Sequence, residues 1–508
     1  MREKMNRRVE IFNITREEFF KYFSFTFICY AVPLIAIGLS NYPYLDDTSR
    51  RAMGYTAFGN DYSRWGSEFL AWILQGSRHL VDTGLTNFIV TALILALSSV
   101  ILVSIISKLG YLSLFVSLMI GLNPWSLGLF SFKFDSPFMA VSVLMSIIPF
   151  LFWEKRQFAV VSFFALFLMY NTYQASSGIF LVIFLIKIYR SLTQRIDGKK
   201  LRTNVLMGGL SFLLPTIAYF VQLKVLPVAA GHSSNSMLSQ NIFLQPFTNV
   251  RLFLSAFKYN SAKVWIAVFA VLLVVFVIKE IINSDNNLAF SSLYLAVFFV
   301  LGTFLSFGIY LFLQQLTPAL RYIYGLPFFL ACLAIMLFDK QEEKWRALTI
   351  INRFVPALLS FFILQFSFTY AGVLENQRES LQSQTMGLAN SLEKVDLKGV
   401  KLYFSDFLFS DSATLKNSQK NYPILNGGYT QLFLSNTQTS QELIRLQIMQ
   451  NLYQNVQPAE TISQAQEQTG EFTQAQEQNI TDGKAVKVLE NDCWIVYTCE
   501  KEVYIVAK

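Results

Sequence analysis

Charge is scarce in this chain. Of its 508 residues only 15% are Asp, Glu, Lys or Arg, where a soluble domain carries about a quarter. That shortfall excludes a large soluble core as the main architecture. Cysteine is scarce as well, and four of them do not frame a disulfide scaffold. Cys29 and Cys332 fall inside apolar runs and read as small core residues. Cys493 and Cys499 stand in the polar tail and could pair if the tail is outside, unless a shared strand holds them too far apart. Histidine is limited to His79 and His232. Without an HxxxH, HExxH or CxxC spacing, no strong metal site is legible. The absence of a GxGxxG or Walker pattern argues against a nucleotide-linked substrate. No small-x-small cleavage site follows the first apolar run, so the N-terminus reads as a retained anchor and not a cleaved leader.

What the chain does contain is apolar. Hydrophobic residues make up 53% and aromatics 16%, with 49 Phe. Long apolar runs recur at the length that crosses a bilayer, about 20 residues. The expected spans are Tyr22–Ser40, Thr86–Ser107, Leu109–Leu122, Ser136–Trp153, Phe158–Tyr170, Gly178–Ile188, Val205–Leu226, Val264–Ile278, Leu288–Leu313, Ile323–Phe338 and Leu348–Thr369. The third is broken by Asn123-Pro124, so it either continues through Phe130 or ends at the outer surface. The predicted fold class is an α-helical polytopic membrane protein of about eleven transmembrane helices, with a small C-terminal extracytoplasmic α/β domain. The membrane part covers 1–370 and the soluble part 371–508.

The net charge of +8 does not call for nucleic acid, because the basic residues sit between spans and not on one continuous face. Arg2, Lys4, Arg7, Arg8, Arg16 and Lys21 precede the first span and place the N-terminus in the cytoplasm. The loop Tyr189–Asn204, with Arg190, Arg195, Lys199, Lys200 and Arg202, keeps the same phase. An odd number of spans then leaves the tail outside. In that tail, Asn376–Glu393 and Gln441–Tyr453 have helical spacing, and Val400–Ser405 and Trp494–Tyr497 read as strands. Pro458–Asn479 is rich in Gln and Glu and carries a short duplication, TISQAQEQ and FTQAQEQ.

The polar residues gather at the expected outer ends. The first outer loop opens with NYPYLDDTSRRAMGY, Asn41–Tyr55. Its adjacent carboxylates, Asp46 and Asp47, fit two readings. One is a general base whose proton affinity is raised by its like-charged neighbour. The other is a solvated pair balanced by Arg50 and Arg51. Arg51 and Arg64 are candidates for a phosphate, since a guanidinium forms two parallel hydrogen bonds and stays charged. Snorkelling at the interface explains them equally. Trp65, Phe69, Trp72, Ile73 and Leu80 follow Arg64 at helical spacing, as in an amphipathic helix lying on the outer leaflet.

Asp135, in Phe132-Lys133-Phe134-Asp135-Ser136-Pro137, suits a polar site, a helix cap, or both. In the third patch, Tyr170–Ser177, Tyr173 and Gln174 suit a sugar or interhelical hydrogen bonds. Arg321, after Thr317-Pro318, is a further phosphate candidate from the far end of the membrane region.

Together, YPYLDD…R in the first loop, NP…FDSP in the second and YQAS in the third resemble the bacterial GT-C-class membrane glucosyltransferases that decorate O-antigen and related surface polysaccharides. The resemblance covers about Tyr22–Thr369. It implies a polyprenyl-phosphate-linked hexose donor, usually glucose, used on the outer face with inversion. Carried over, Asp46 and Asp47 are the catalytic pair, with Tyr44 beside them. Arg64 sits where the family has a basic residue, and Asp135, Tyr173 and Gln174 contact the substrates; with Arg64, the residues read here as holding the donor phosphate are Arg321, Lys133 and Arg51. Where the family often has Gly-Arg after the Trp, this chain has Arg64-Trp65-Gly66. No cofactor is called for, with or without a divalent cation. The implied partners are the lipid donor, a polysaccharide acceptor, membrane lipids, a donor-loading enzyme and a flippase. The implied location is the bacterial inner membrane. A polysaccharide polymerase, or a flippase or exporter without transferase chemistry, is the alternative, although no inverted repeat is evident.

Overall fold

The computed structural model describes residues 8–9, 14–42, 44, 47, 50–51, 54, 56–226, 238–284, 287–314, 319–338, 346–393, 395–397, 399–405, 408–426 and 469–508. The chain divides into two compact units. The first comprises 1–38, 56–78 and 83–368, and the second 39–55, 79–82 and 369–508. The segment that begins the first outer loop thus groups with the tail.

The first unit is helical. It opens with α1 (Arg16–Ser40), α2 (Phe58–Tyr62), α3 (Trp65–Gln75) and α4 (Thr86–Ile106). A broken span follows as α5 (Tyr111–Ser117), α6 (Met119–Leu122) and α7 (Pro124–Phe130). Next come α8 (Ser136–Ile147), α9 (Gln157–Thr172), α10 (Ser177–Thr193) and α11 (Gly198–Val225). The unit closes with α12 (Gln245–Asn260), α13 (Lys263–Ile282), α14 (Leu288–Leu305), α15 (Gly325–Met336) and the start of α16 (Arg346–Leu392). α4 packs on α8, α9 on α11, and α10 on α14.

The surface of these helices is apolar. α14 buries Ser291, Leu295, Phe298 and Gly302 and exposes Leu293, Val297, Val300 and Leu301. α11 likewise exposes Leu206, Leu210, Leu213, Leu214, Ile217 and Val221. Helices this apolar on the outside need a bilayer as solvent. This is a membrane protein.

Seven helical stretches among the described residues are long and apolar enough to cross, or eight if the bent pair is one span. Ser136–Phe152, Gln157–Thr172 and Gly325–Met336 are shorter apolar helices. At 1.5 Å per residue they fall short of a hydrocarbon core about 30 Å thick. The expected count of eleven is therefore not established by length.

The third expected span does not run straight on. It bends by 63° between Leu122 and Pro124. Proline has no amide to donate, and it pushes Asn123 into extended backbone at φ −62°, ψ 150°. The Asn123 side chain then serves both halves. Its Nδ2 donates to the Met119 carbonyl at 2.9 Å, and its Oδ1 accepts from the Ser126 amide at 3.0 Å. The break is thus capped from both sides.

A second constraint lies at Ser306, in the turn after α14. A Cβ on Gly178 or on Gly325 would come within 1.9 Å of the Ser306 carbonyl oxygen. The starts of α10 and α15 close on this turn because both positions lack a side chain. Ser177 Oγ accepts from the Ile309 amide at 3.1 Å and fixes the same crossing.

The expected last span and the expected tail helix are one element, the 47-residue α16. Between Thr369 and Asn376 there is no proline and one glycine, Gly372, and one glycine costs a helix about 1 kcal/mol, too little to end it. The sheet has the order β4-β3-β7-β6-β5, with β3 Lys401–Phe404, β4 Thr469–Glu471, β5 Val486–Glu490, β6 Trp494–Cys499 and β7 Glu502–Ala507. (Arg8–Val9 and Ile14–Thr15 form a separate short pair, β1 and β2.) β3 pairs in parallel with β4 and β7, while β6 is antiparallel to β5 and β7. Leu381, Leu388 and Leu392 of α16 pack on Leu402, Val496, Val503 and Ile505 of the sheet, and Tyr42 joins them. Cys493 and Cys499 are free, at opposite ends of β6. The expected helix Gln441–Tyr453 lies outside the described residues.

Substituting Gly178→Ala should lower the thermal unfolding midpoint in detergent, because overpacking costs about 1–3 kcal/mol. Gly209→Ala, which faces open space, should leave the midpoint unchanged or raise it slightly. Equal midpoints for the two variants would refute the close crossing.

Candidate functional site

The site region of the first unit starts at a knuckle around α2. Ala57 and Ser63 flank this helix with φ of 47° and 54°. Non-glycine residues rarely adopt that conformation, and each costs about 1–2 kcal/mol. Glu68 holds the knuckle. Its carboxylate accepts from the Thr56 hydroxyl and from the Gly59 amide, the latter at 3.2 Å. The helix α3 that carries it buries Ser67, Glu68 and Ala71 and exposes Phe69 and Ile73. α3 is thus amphipathic as the sequence indicated, with its polar face turned into the protein.

The knuckle delivers Arg64 to the start of α3. The guanidinium lies over two rings, 5.0 Å from the Tyr62 centroid and 4.8 Å from that of Tyr173. This is a cation–π clamp, and such contacts strengthen as water is excluded. Arg64 Nε and the Tyr173 hydroxyl are both buried without a hydrogen-bond partner among the described residues. Buried polar atoms of this kind are uncommon and call for an explanation.

Tyr173 and Gln174 lie in the break between α9 and α10. Gln174 Nε2 donates to the Tyr62 carbonyl at 3.1 Å and to the Tyr219 hydroxyl at 2.8 Å. Tyr170 shares a hydrogen bond with Thr216 at 2.8 Å, and Asn171 exchanges amide bonds with Gln222 at 3.0 and 2.7 Å. Much of the third patch therefore does make interhelical bonds. Tyr173 is the member whose polar end is left over.

From the far end of the unit comes Arg321. Its guanidinium sits 5.6 Å from the Phe132 ring and 5.2 Å from the Tyr322 ring. Tyr322 meets Tyr310 edge-on at 5.0 Å. Burial pushes the Tyr173 phenol well above its ordinary range, and the neighbouring Tyr310 and Tyr322 push it further. Arg321 and Arg64 oppose that rise. Phe132 brings the second loop beside Arg321. Lys133 is half-buried there, and its carbonyl accepts from Asn87 Nδ2 at 2.8 Å. Asp135 is buried, and its side chain makes no cap hydrogen bond to α8.

The other candidates belong to the second unit. Asp46 lies outside the described residues. Asp47, Arg50 and Tyr44 are all buried, at 1%, 3% and 1% exposure, so this end of the loop is not a solvated charge pair. Arg51 is committed to structure. Its Nε pairs with Asp82 at 3.1 Å and one Nη donates to Asn41 at 2.9 Å. The Leu80 amide donates to the Gly54 carbonyl at 2.7 Å, which ties the loop to His79–Asp82.

Sequence reasoning missed Glu68 and Tyr310. Glu68 looked like one more polar position on a surface helix, and Tyr310 was hidden in an apolar run.

Comparison with protein families adds the deciding observation. The family model described as Glucosyl transferase GtrII matches residues 35–338. The chain belongs to the Glucosyl transferase GtrII family. The matched stretch is more than half of the chain and includes Arg64, Lys133, Asp135, Tyr173, Gln174 and Arg321, as well as Asp46 and Asp47. It ends before the five-stranded sheet. Searches of curated proteins and of solved structures gave no match. A glucosyl transferase must stabilise a leaving group and orient an acceptor hydroxyl.

In this transferase, Glu68→Ala should strip the acceptor from Thr56 and Gly59 and lower stability by about 1–3 kcal/mol. Thermal unfolding and proteolysis across Ala57–Ser63 would register the loss. An unchanged cleavage pattern would mean that the knuckle stands without Glu68.

Proposed function

We propose that this transferase moves a hexose, glucose by its family, from a polyprenyl-phosphate donor to a surface polysaccharide. The reaction takes place on the outer face of a bacterial inner membrane, with inversion at the anomeric carbon. The N-terminus is cytoplasmic and the tail unit extracytoplasmic. The observation that carries this reading is the cluster just described. The Arg64 guanidinium lies over the ring of the buried phenol Tyr173, and both Arg64 Nε and the Tyr173 hydroxyl lack a partner among the described residues. Such a set suits an anion with several acceptor oxygens.

In the proposed reaction, Asp46 or Asp47 accepts the proton of an acceptor hydroxyl. The hydroxyl oxygen attacks the anomeric carbon as the bond to the phosphate oxygen breaks. The transition state resembles an oxocarbenium ion, as in glycoside hydrolysis. Arg64, Arg321 and Lys133 hold the charge that develops on the departing prenyl phosphate. Asp135 and Tyr173 face the substrates. Gln174, whose amide already bonds Tyr62 and Tyr219, orients Tyr62 and with it Arg64. Arg51 serves its loop and not the phosphate. The donor reaches the outer leaflet through a loading enzyme and a flippase.

Purified protein with synthetic prenyl-phosphate glucose tests this. Prenyl phosphate should be released only when acceptor is present. Asp46→Asn and Asp47→Asn should cut turnover about 100-fold or more at whichever position is the base, given the usual contribution of general base catalysis. Full turnover in both variants removes the base assignment, and Asp135→Asn then becomes the variant to measure. Release without acceptor, or movement of the intact donor across a vesicle membrane, would replace transfer by hydrolysis or flipping.

A further inference from the structure

Between the expected spans Val205–Leu226 and Val264–Ile278 lies a helix, α12, that the candidate site does not yet use. α12 exposes Phe247, Leu252, Leu254 and Tyr259 on one face. On the other it buries Pro246, Asn249, Val250 and Phe253. An asparagine in that company, fully buried, is costly unless its amide is used.

It is used on one short stretch of backbone. Asn249 Nδ2 donates to the carbonyls of Tyr310 at 3.3 Å, Leu311 at 2.9 Å and Leu313 at 3.0 Å. These carbonyls end the turn Gly308–Phe312, where helical geometry leaves acceptors without donors. The amide is itself oriented. Gln245 Nε2 donates to Asn249 Oδ1 at 3.0 Å, and Ser239 Oγ donates to Gln245 Oε1 at 3.2 Å. Phe253 stacks on Phe307 at 4.5 Å and holds the helix against the same turn. The turn carries Tyr310, whose ring meets Tyr322 at 5.0 Å, and the Tyr322 ring lies 5.2 Å from the Arg321 guanidinium.

We propose that Asn249 is a positioning residue for the donor. By fixing the 310–313 backbone it sets the Tyr310 and Tyr322 rings, and through them the direction in which Arg321 presents its guanidinium. This rests on the reading above that Arg321 holds the donor phosphate.

The test is binding of radiolabelled synthetic prenyl-phosphate glucose to the full-length protein in nanodiscs, alongside its thermal midpoint. Asn249→Asp keeps the shape but replaces the donor by an acceptor facing three carbonyls. It should raise the donor Kd about tenfold, the loss expected for one charge-directing hydrogen-bond set. Asn249→Gln, which keeps a donating amide, should restore most of the affinity. Phe247→Ala, on the exposed face of the same helix, should leave it unchanged. If Asn249→Asp does not fold, Gln245→Ala, which unseats the amide, should raise Kd about threefold. Unchanged Kd in a folded Asn249→Asp, or in Gln245→Ala where that variant is used, overturns the proposal. So does equal weakening by Phe247→Ala. Arg321→Ala is measured in parallel. Unchanged Kd in that variant defeats the phosphate reading itself, whereas weak binding there with normal binding in the Asn249 variants defeats only the role of Asn249.

Discussion

The approach of α10 and α15 to the Ser306 carbonyl is the contact on which the site region depends. Gly178 lies five residues after Tyr173, Gly325 four after Arg321, and Ser306 four before Tyr310. A methyl group at either glycine would overlap the carbonyl oxygen. Once the three backbones meet, the side chains just before or after them have little freedom of position. The phenol, the second guanidinium and the ring that backs it are delivered by one steric condition. No attraction between them is required to assemble the group, and in lipid there is no hydrophobic effect between helices to do it instead.

Electrostatics then decides what the assembled group can do. A guanidinium inside a membrane protein carries a large desolvation cost. Arg64 meets that cost partly through two ring faces and Arg321 through two others. Aromatic faces stabilise a cation without using up its N–H donors. Arg64 Nε has no hydrogen-bond partner among the described residues. Arg51 shows the contrast, since Asp82 and Asn41 engage its fork and its role is to hold a loop. The same cation type thus meets ring faces in one place and a carboxylate in another.

Local features of the fold were legible in the chain. Apolar runs located the helices, because burial in lipid leaves no other backbone solution. Asn123-Pro124 announced a break, and the strands Lys401–Phe404 and Trp494–Cys499 fell where apolar runs in the tail foretold them. Other features were not legible. α12 was passed over because its amphipathic pattern sits in a loop between two stronger apolar signals. The last span and the tail helix read as two elements because their composition changes, although the backbone has no reason to stop. The knuckle at Ala57–Ser63 has no glycine at either of its two positive-φ positions to signal them, and the carboxylate that holds it lies on the next helix.

The sequence by itself determined that this is a membrane protein, where its helices fall, and which polar residues collect beside them. These follow from properties of short windows, namely apolar length, periodicity, proline and glycine. Only the tertiary structure decided which polar residues keep company. It placed Arg64 between Tyr62 and Tyr173, set Arg321 against Phe132 and Tyr322, and grouped the first-loop acidic segment with the tail unit. The reason is geometric: such pairings span tens to hundreds of residues, and they are fixed by where backbones can approach, which no local pattern records.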